Sequence, residues 1–262
     1  MELNELEIDF YEENGYLIIE NLFTKLKIDA LNKAGEVFED LKTSPNVICE
    51  DNGDIRSVYA PQLHHTLFDT FYKERELVSI AKKILKNEIY LYQYKLNNKK
   101  ALTGKLWEWH QDFPYWNIDD GIKKSNMVSV MVLLQDTDSF QGPLLLLPGS
   151  HKDGVVNFQP KKHLENKELG FINSLNTDLK YTIHKDFLKD YFTNGKVIEA
   201  KGSKGTCIFF HPNIFHCSNS NISPFDRKTA IITYNDIKNL PQKEKDRRPE
   251  YLCSRNYSKI VI

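Results

Sequence analysis

The sequence lacks an excess of charge of either sign. Its 35 basic and 36 acidic residues give a formal net charge of −1 over 262 residues. Nucleic acids and anionic membranes attract proteins through clustered positive charge, and this composition provides no general attraction of that kind. Long apolar runs are missing too: the longest, residues 127–134 and 144–147, are far shorter than the roughly 20 residues of a membrane-spanning helix. We therefore predict neither a nucleic-acid nor a membrane partner.

Cysteine is scarce, and no two cysteines stand at the C-x-x-C spacing of a zinc knuckle or a redox motif. The four cysteines are Cys49, Cys207, Cys217 and Cys253. Their spacing gives no disulfide framework of the kind found in small secreted domains. Residues 1–7 are acidic and lack the basic start and apolar stretch of a signal peptide. These features predict reduced thiols in a cytoplasmic protein.

The chain also lacks internal repeats, low-complexity tracts and a regular alternation of strands with helices. Residues 25–41 and 67–85 carry apolar side chains at a helical period, whereas short strand-like segments punctuated by Gly and Pro follow residue 88. The segments predicted as strands are residues 16–19, 89–96, 127–134, 144–147, 195–200, 205–210 and 228–235. We therefore predict a mainly β fold with flanking helices, of the sandwich or barrel type and not a doubly wound sheet.

No linker divides the chain, so we predict a single domain over residues 1–262. Residues 1–87 are expected to form a mostly helical N-terminal support, and residues 88–262 the β core. The polar segment at about residues 151–191 is predicted to be an insertion over the mouth of the barrel, where lids are common.

The stretch that carries most chemical information is residues 107–113, Trp-Glu-Trp-His-Gln-Asp-Phe. On a strand, His110 and Asp112 share one face while Gln111 points away. A second histidine would complete the set of two histidines and one carboxylate that holds Fe(II) and leaves positions open for O2 and a co-substrate. Residues 205–218 offer two candidates, His211 and His216, of which we expect His211 to be structural.

Arg227 follows the second histidine cluster and leads into an apolar strand. Its guanidinium fork suits a co-substrate carboxylate beside a metal. Two histidines and a carboxylate also suit catalytic zinc, although the arginine and the absence of an H-E-x-x-H motif argue against a hydrolase. A non-catalytic cupin-like binding protein is a further alternative. Such a protein does not need all three metal ligands and the arginine, so their presence argues against it.

In their order along the chain, these motifs resemble the phytanoyl-CoA dioxygenase family, and most closely its ectoine hydroxylase-like members. The motifs are His110-x-Asp112, Gly142-Pro143-Leu144, Pro148-Gly149-Ser150-His151, residues 211–218, and Arg227. The resemblance runs from about residue 88 to the tail at 248–252. It implies a double-stranded β-helix (a cupin-like jelly roll) with Fe(II) as the metal and 2-oxoglutarate and O2 as co-substrates.

The resemblance also assigns roles to individual residues. The implied ligands of Fe(II) are His110, Asp112 and His216. The implied 2-oxoglutarate residues are Arg227, which would hold the distal carboxylate, with Ser218, Lys99 and Ser129. The residues placed near the substrate are Gln93 and Trp116. The charged run at 243–248 is of mixed sign and is predicted to be a solvated loop.

The family resemblance implies hydroxylation of an unactivated C–H bond. Related halogenases carry a small residue at the position of Asp112, so its carboxylate favours hydroxylation, with desaturation or oxidative cyclisation as alternatives. The implied substrate is a small polar molecule, either a free amino acid or a zwitterionic amino-acid derivative. Ile231 stands where the ectoine enzymes have an aromatic residue, and it lacks the ring face that attracts a delocalised cation. This difference argues against ectoine itself as the substrate. We expect a monomer or a homodimer.

Overall fold

A computed structural model describes residues 3–156, 158–160 and 179–262. The insertion predicted at residues 151–191 lies largely outside the described residues, which include only its two ends. None of the helices in the described part of the chain combines the length and apolarity needed to cross a membrane.

Six α-helices are present in the described residues, and four of them precede the first long strand. They are α1 (Glu5–Asn14), α2 (Lys25–Ala34), α3 (Thr66–Phe71), α4 (Arg75–Leu85), α5 (Phe113–Asp120) and α6 (Lys185–Asn194). Short 3-10 helices cover Gly35–Leu41, Pro61–Leu63 and Ser150–Asp153. The helical period over residues 25–41 is thus continued past Gly35 in the tighter form, since glycine disfavours the α-helical interior.

Thirteen strands make up the remainder of the regular structure in these ranges. They are β1 (Tyr16–Ile19), β2 (Val47–Cys49), β3 (Ile55–Tyr59), β4 (Ile89–Lys99), β5 (Trp107–His110), β6 (Met127–Leu133), β7 (Leu144–Leu147), β8 (Phe158–Pro160), β9 (Tyr181–Ile183), β10 (Ile198–Ala200), β11 (Cys207–Phe210), β12 (Phe215–Ser218) and β13 (Arg227–Asp236). The sequence pattern did not predict β2 and β3, which extend one edge of the larger sheet.

The strands form two main antiparallel sheets. The larger has the order β1-β11-β6-β13-β4-β3-β2, the smaller has the order β10-β7-β12-β5, and β8 pairs separately with β9. An apolar core joins the two main sheets and includes Met131 and Leu133 of the larger sheet and Leu146 and Ala200 of the smaller. The arrangement is the predicted double-stranded β-helix with flanking helices.

The N-terminal helices cover the outer face of the larger sheet. Val128, Val130 and Val132 of β6 pack into the same cluster as the helical residues Phe38 and Leu77. The alternate positions of β6 face the core between the sheets. Because every residue of this strand is buried, it appears in the sequence as an apolar run that only Ser129 interrupts. Each such side chain contributes about 1.5–3 kcal/mol of burial free energy.

The C-terminal segment has no regular structure but is fastened along β4. The backbone N–H of Ser254 donates to the carbonyl of Tyr92, and that of Ile260 donates to the carbonyl of Ile89, each at 2.9 Å. The side-chain amide of Gln93 donates to the carbonyl of Leu252 at 2.7 Å. These bonds hold the tail beside the strand that borders the interior of the barrel.

Candidate active site

Two neighbouring strands of the smaller sheet bring the predicted metal ligands together. His110, the last residue of β5, lies directly opposite His216 of β12, and their ring centroids are 4.1 Å apart. The Oδ1 atom of Asp112 is 3.8 Å from the Nε2 atom of each histidine. All three ligand atoms lie within 4.8 Å of one another, which is close enough to share one metal ion.

The backbone conformation that places Asp112 beside the histidines differs from the predicted strand. The strand ends at His110, and Asp112 has helical backbone angles (φ −75°, ψ −37°) at the start of α5. The backbone N–H groups of Asp112 and Phe113 both donate to the carbonyl of Pro212, at 3.0 and 3.1 Å. The interpretation of His110 and Asp112 as residues on one face of a continuous strand is therefore wrong. A turn held by the Pro212 carbonyl places the carboxylate beside the imidazoles.

Hydrogen bonds fix the tautomer of both histidines. The Nδ1 atom of His110 lies 2.7 Å from the carbonyl oxygen of Glu108, and that of His216 lies 2.9 Å from the carbonyl oxygen of Ile214. A carbonyl only accepts, so each Nδ1 carries the hydrogen and each Nε2 keeps its lone pair for a metal. Burial and the neighbouring His216 lower the pKa of His110 to about 3, which keeps its imidazole in the neutral, ligating form. This donor set fits Fe(II).

Arg227 lies at the start of β13 and is only 2% exposed. Its Nη1 atom donates to the carbonyl of Gly142 at 2.6 Å, whereas its Nε atom has no hydrogen-bond partner among the described residues. Burial lowers the pKa of the guanidinium to about 10. A buried cation without a carboxylate is costly in free energy, and a ligand carboxylate would remove that cost. The residue therefore fits an anionic co-substrate.

Seven of the nine predicted site residues border one pocket between the sheets. They are His110, Asp112, His216, Arg227, Ser218, Gln93 and Trp116. The other two, Lys99 and Ser129, are buried but do not border it. The Oγ atom of Ser129 lies 2.9 Å from the hydroxyl of Thr233 on the adjacent strand, and the Nζ atom of Lys99 donates to backbone carbonyls. Neither side chain is positioned for direct contact with a ligand in the pocket.

The pocket also contains charged residues that the sequence analysis missed. Lys95 borders it from β4, two residues after Gln93, and strand alternation alone places the two on one face. Arg248 borders it as well, although residues 243–248 were predicted to be solvated. That prediction is wrong for Arg248, which is 6% exposed and donates from Nε to Asp120 at 2.9 Å. Its partner is far away in sequence, at the end of α5, so no local pattern indicates the pair.

His211 is not among the clustered ligand atoms, as expected. Its Nδ1 atom accepts from the backbone N–H of Asn213 at 3.1 Å, and its ring centroid lies 5.1 Å from that of His151. Burial, followed by the proximity of His151, lowers the pKa of His211 from 6.5 to about 3. The folded protein thus holds a neutral imidazole where the unfolded chain would be protonated below pH 6.5.

This depressed pKa predicts a loss of stability in acid. The folded-state pKa lies below the unfolded value, so the unfolded chain binds the extra proton and the loss begins below pH 6.5. The group accounts for a loss of roughly 2 kcal/mol by pH 5. His211→Asn keeps an acceptor for the N–H of Asn213 but does not titrate. We expect its free energy of unfolding, from urea titrations at pH 7 and pH 5, to fall less than that of the wild type. His64→Asn, at an exposed histidine, is the control, and equal losses in His211→Asn and wild type would refute the prediction.

The geometry of the site agrees with the comparison of the sequence with known families. The profile of the family described as "Phytanoyl-CoA dioxygenase (PhyH)" matches residues 11–229. The chain belongs to the phytanoyl-CoA dioxygenase family.

Its relatives in this family include named hydroxylating enzymes. The ectoine dioxygenase of Stutzerimonas stutzeri (strain A1501) is 32% identical over 272 residues, covering 97% of this chain and 85% of that protein. The L-proline trans-4-hydroxylase of Streptomyces griseoviridis is 27% identical over 251 residues, covering 96% of this chain and 92% of that enzyme. The crystal structure of EctD from S. alaskensis with 2-oxoglutarate and 5-hydroxyectoine superimposes with a TM-score of 0.80 at 25% identity, covering 97% of this chain and 84% of that one.

This member of the phytanoyl-CoA dioxygenase family is accordingly a 2-oxoglutarate-dependent oxygenase of the hydroxylase type. Its cofactor is Fe(II), for which the two histidines and the carboxylate are suited, and its co-substrates are 2-oxoglutarate and O2. The zinc-hydrolase and binding-only alternatives are thereby set aside.

Proposed function

We propose that the enzyme hydroxylates an unactivated C–H bond of a free amino acid or of a zwitterionic amino-acid derivative. The observation that carries this proposal is the placement of charged groups around the metal ligands in one pocket between the sheets. The names of the relatives support it, since one is an ectoine dioxygenase and another an L-proline trans-4-hydroxylase.

Three cationic side chains border this pocket, and they differ in the partners that they already have within the protein. Arg227 has an unpaired Nε atom, as described above. Lys95 has no ion-pair partner among the described residues, and its charge acts on His110. Arg248 is held in place by Asp120, so its guanidinium is already oriented. We propose that Arg227 binds the distal carboxylate of 2-oxoglutarate, which leaves Lys95 and Arg248 to bind the carboxylate of the substrate.

Apolar and aromatic side chains complete the wall and suit the hydrocarbon part of a small substrate. They include Trp116, Met131, Ile231 and Leu252, of which Leu252 belongs to the C-terminal tail. Ile231 presents an aliphatic surface where the ectoine enzymes have an aromatic ring, so we propose a substrate other than ectoine. Gln93 borders the same region while its amide holds the carbonyl of Leu252. We propose that Gln93 and Trp116 contact the substrate.

Each part of the chain has a separate task in this reaction. When bound, Fe(II) and 2-oxoglutarate supply the activation of O2 that C–H hydroxylation needs. His110, Asp112 and His216 would hold the metal, and three protein ligands would leave coordination positions for the co-substrates. Arg227 orients 2-oxoglutarate with the help of Ser218, and the aromatic wall excludes water. We propose that Ser129 and Lys99 support the 2-oxoglutarate site from behind the residues that border it.

The carboxylate of Asp112 favours hydroxylation over halogenation, because it occupies the position that halogenases leave to a halide. Desaturation or oxidative cyclisation uses the same metal and co-substrates and is the second candidate. The two outcomes differ in product mass, since hydroxylation adds one oxygen atom and the alternatives remove two hydrogen atoms.

We also propose that residues 1–262 form one catalytic domain that acts as a monomer or homodimer in the cytoplasm. All four cysteines are free in the structure, which suits a reducing compartment.

A screen of substrate-stimulated succinate release tests the proposal. Free amino acids and small zwitterions are supplied with Fe(II), 2-oxoglutarate and ascorbate, with CoA thioesters as the contrasting class, and product masses are recorded. We expect at least one amino acid or zwitterion to stimulate succinate release and to gain one oxygen atom. Stimulation by CoA thioesters alone would refute the proposed substrate class.

A further inference from the structure

Lys99 is a buried lysine whose side chain contacts backbone carbonyls instead of a carboxylate. It is the last residue of β4, lies directly opposite Arg227 in β13, and is 2% exposed. Its Nζ atom donates to the carbonyl of Ser218 at 3.3 Å and to that of Asn219. Within the described residues, no carboxylate forms an ion pair with it. Burial, followed by the charge of Arg227, lowers the pKa of Lys99 to about 6, so near neutral pH its side chain is mainly an amine that donates hydrogen bonds. Burial of a lysine without a carboxylate partner costs free energy, which indicates a role that offsets this cost.

The two carbonyls that Lys99 binds belong to the end of β12, the strand that carries His216. The backbone carbonyl of Lys99 also accepts from the side-chain amide of Asn221 at 3.1 Å. The side chain and the backbone of this one lysine therefore fasten residues 218–221 to the end of β4. This turn is consequently fixed relative to the larger sheet.

The turn at residues 218–221 also packs against Gly142, the residue whose carbonyl binds Arg227. Gly142 has φ +65°, and a Cβ atom on it would collide with the carbonyl oxygen of Asn219. The carbonyl of Gly142 in turn accepts from Nη1 of Arg227 at 2.6 Å. A continuous line of contacts thus runs from the Nζ atom of Lys99 through Asn219 and Gly142 to the guanidinium of Arg227.

We propose that Lys99 is a positioning residue that aims Arg227 at 2-oxoglutarate without touching the ligand. By holding the carbonyls of Ser218 and Asn219, it keeps the turn against Gly142 and so fixes the carbonyl on which the guanidinium rests. Arg227 borders the pocket, and its Nε atom has no hydrogen-bond partner among the described residues. The inference rests on the proposed role of Arg227 as the residue that binds the distal carboxylate.

A double-mutant cycle between Lys99 and Arg227 tests this role. Lys99→Met removes the donors at similar volume, and we expect it to raise the KM for 2-oxoglutarate about tenfold while kcat at saturation stays within about twofold. In the Arg227→Ala background, the same change should leave the KM unaltered, because its effect passes through the arginine. Lys105→Met, at an exposed lysine paired with Glu50, is the matched control.

The outcomes separate this inference from the function on which it rests. An unchanged KM in Lys99→Met, or an equal rise with and without Arg227, would overturn the positioning role, the second result indicating direct contact with the ligand. A wild-type KM in Arg227→Ala would instead overturn the proposed role of the arginine. If Lys99→Met does not fold, the same cycle is measured with Lys99→Gln, which keeps an amide donor. In the Arg227→Ala background, Lys99→Gln must likewise leave the KM for 2-oxoglutarate unchanged.

Discussion

Asp112→Ala is expected to abolish hydroxylation and to weaken Fe(II) binding by more than about 100-fold. Changes to groups that only support metal ligands already cost about 10–100-fold in affinity, and Asp112 is itself a ligand. Its Oδ1 atom is 3.8 Å from both Nε2 atoms, so its removal leaves two neutral imidazoles without a negative charge. Titration of the metal-free variant with Fe(II), together with product analysis at saturating 2-oxoglutarate, measures both losses.

The control for this variant is Asp186→Ala, at an exposed carboxylate near the start of α6. It should keep wild-type activity and iron affinity. Full hydroxylase activity in Asp112→Ala would show that another residue completes the metal site. Activity restored only by excess Fe(II) would be compatible with Asp112 as a ligand, because the two histidines remain.

The second large effect is expected for Arg227→Ala, in which the KM for 2-oxoglutarate should rise about 100-fold. Loss of one partner of a buried, hydrogen-bonded charge pair costs about 2–5 kcal/mol. Arg227→Lys should show a smaller rise in the KM that still exceeds the wild-type value, since an ammonium keeps the charge but not the fork that binds a carboxylate at two points. Initial rates of succinate formation at varied 2-oxoglutarate measure the effect.

Loss of fold would not explain that result. Arg227 is a buried cation whose Nε atom has no partner among the described residues, so Arg227→Ala should unfold at a temperature no lower than the wild type. Arg247→Ala, at an exposed arginine of the C-terminal segment, serves as the control for the loss of a guanidinium. A wild-type KM for 2-oxoglutarate in Arg227→Ala would remove the residue from its proposed role.

The sequence predicts the long buried strands well because their apolar pattern is continuous. β6 is flanked by the helical layer on one side and by the inter-sheet core on the other, so all of its residues except Ser129 are apolar. β2 and β3 are short and separated by a polar turn, and β3 pairs with a segment of β4 about 40 residues away. Such a pairing leaves no periodic signal in either strand. The predicted insertion at 151–191 lies mainly outside the described residues.

Within the site, the ligand types were predictable but their geometry was not. The spacing of His110 and Asp112 indicated a metal pair, yet the pair depends on a turn bonded to Pro212, which strand alternation does not represent. The burial of Arg248 was not predicted, because its neighbours in sequence are charged and its partner, Asp120, lies in a distant helix. Lys99 stands in a lysine-rich segment, and only the tertiary structure shows that its Nζ atom donates to backbone carbonyls.

In the proposed function, the enzyme couples 2-oxoglutarate consumption at the His110–Asp112–His216 centre to hydroxylation of an amino-acid-like substrate. The most direct test measures succinate and product together in a reaction with Fe(II), 2-oxoglutarate, O2 and the substrate found by screening. We predict equal amounts of succinate and of a product that is heavier by one oxygen atom, with neither formed when 2-oxoglutarate is omitted. A product that forms in the absence of 2-oxoglutarate, or that gains no oxygen, would contradict the account.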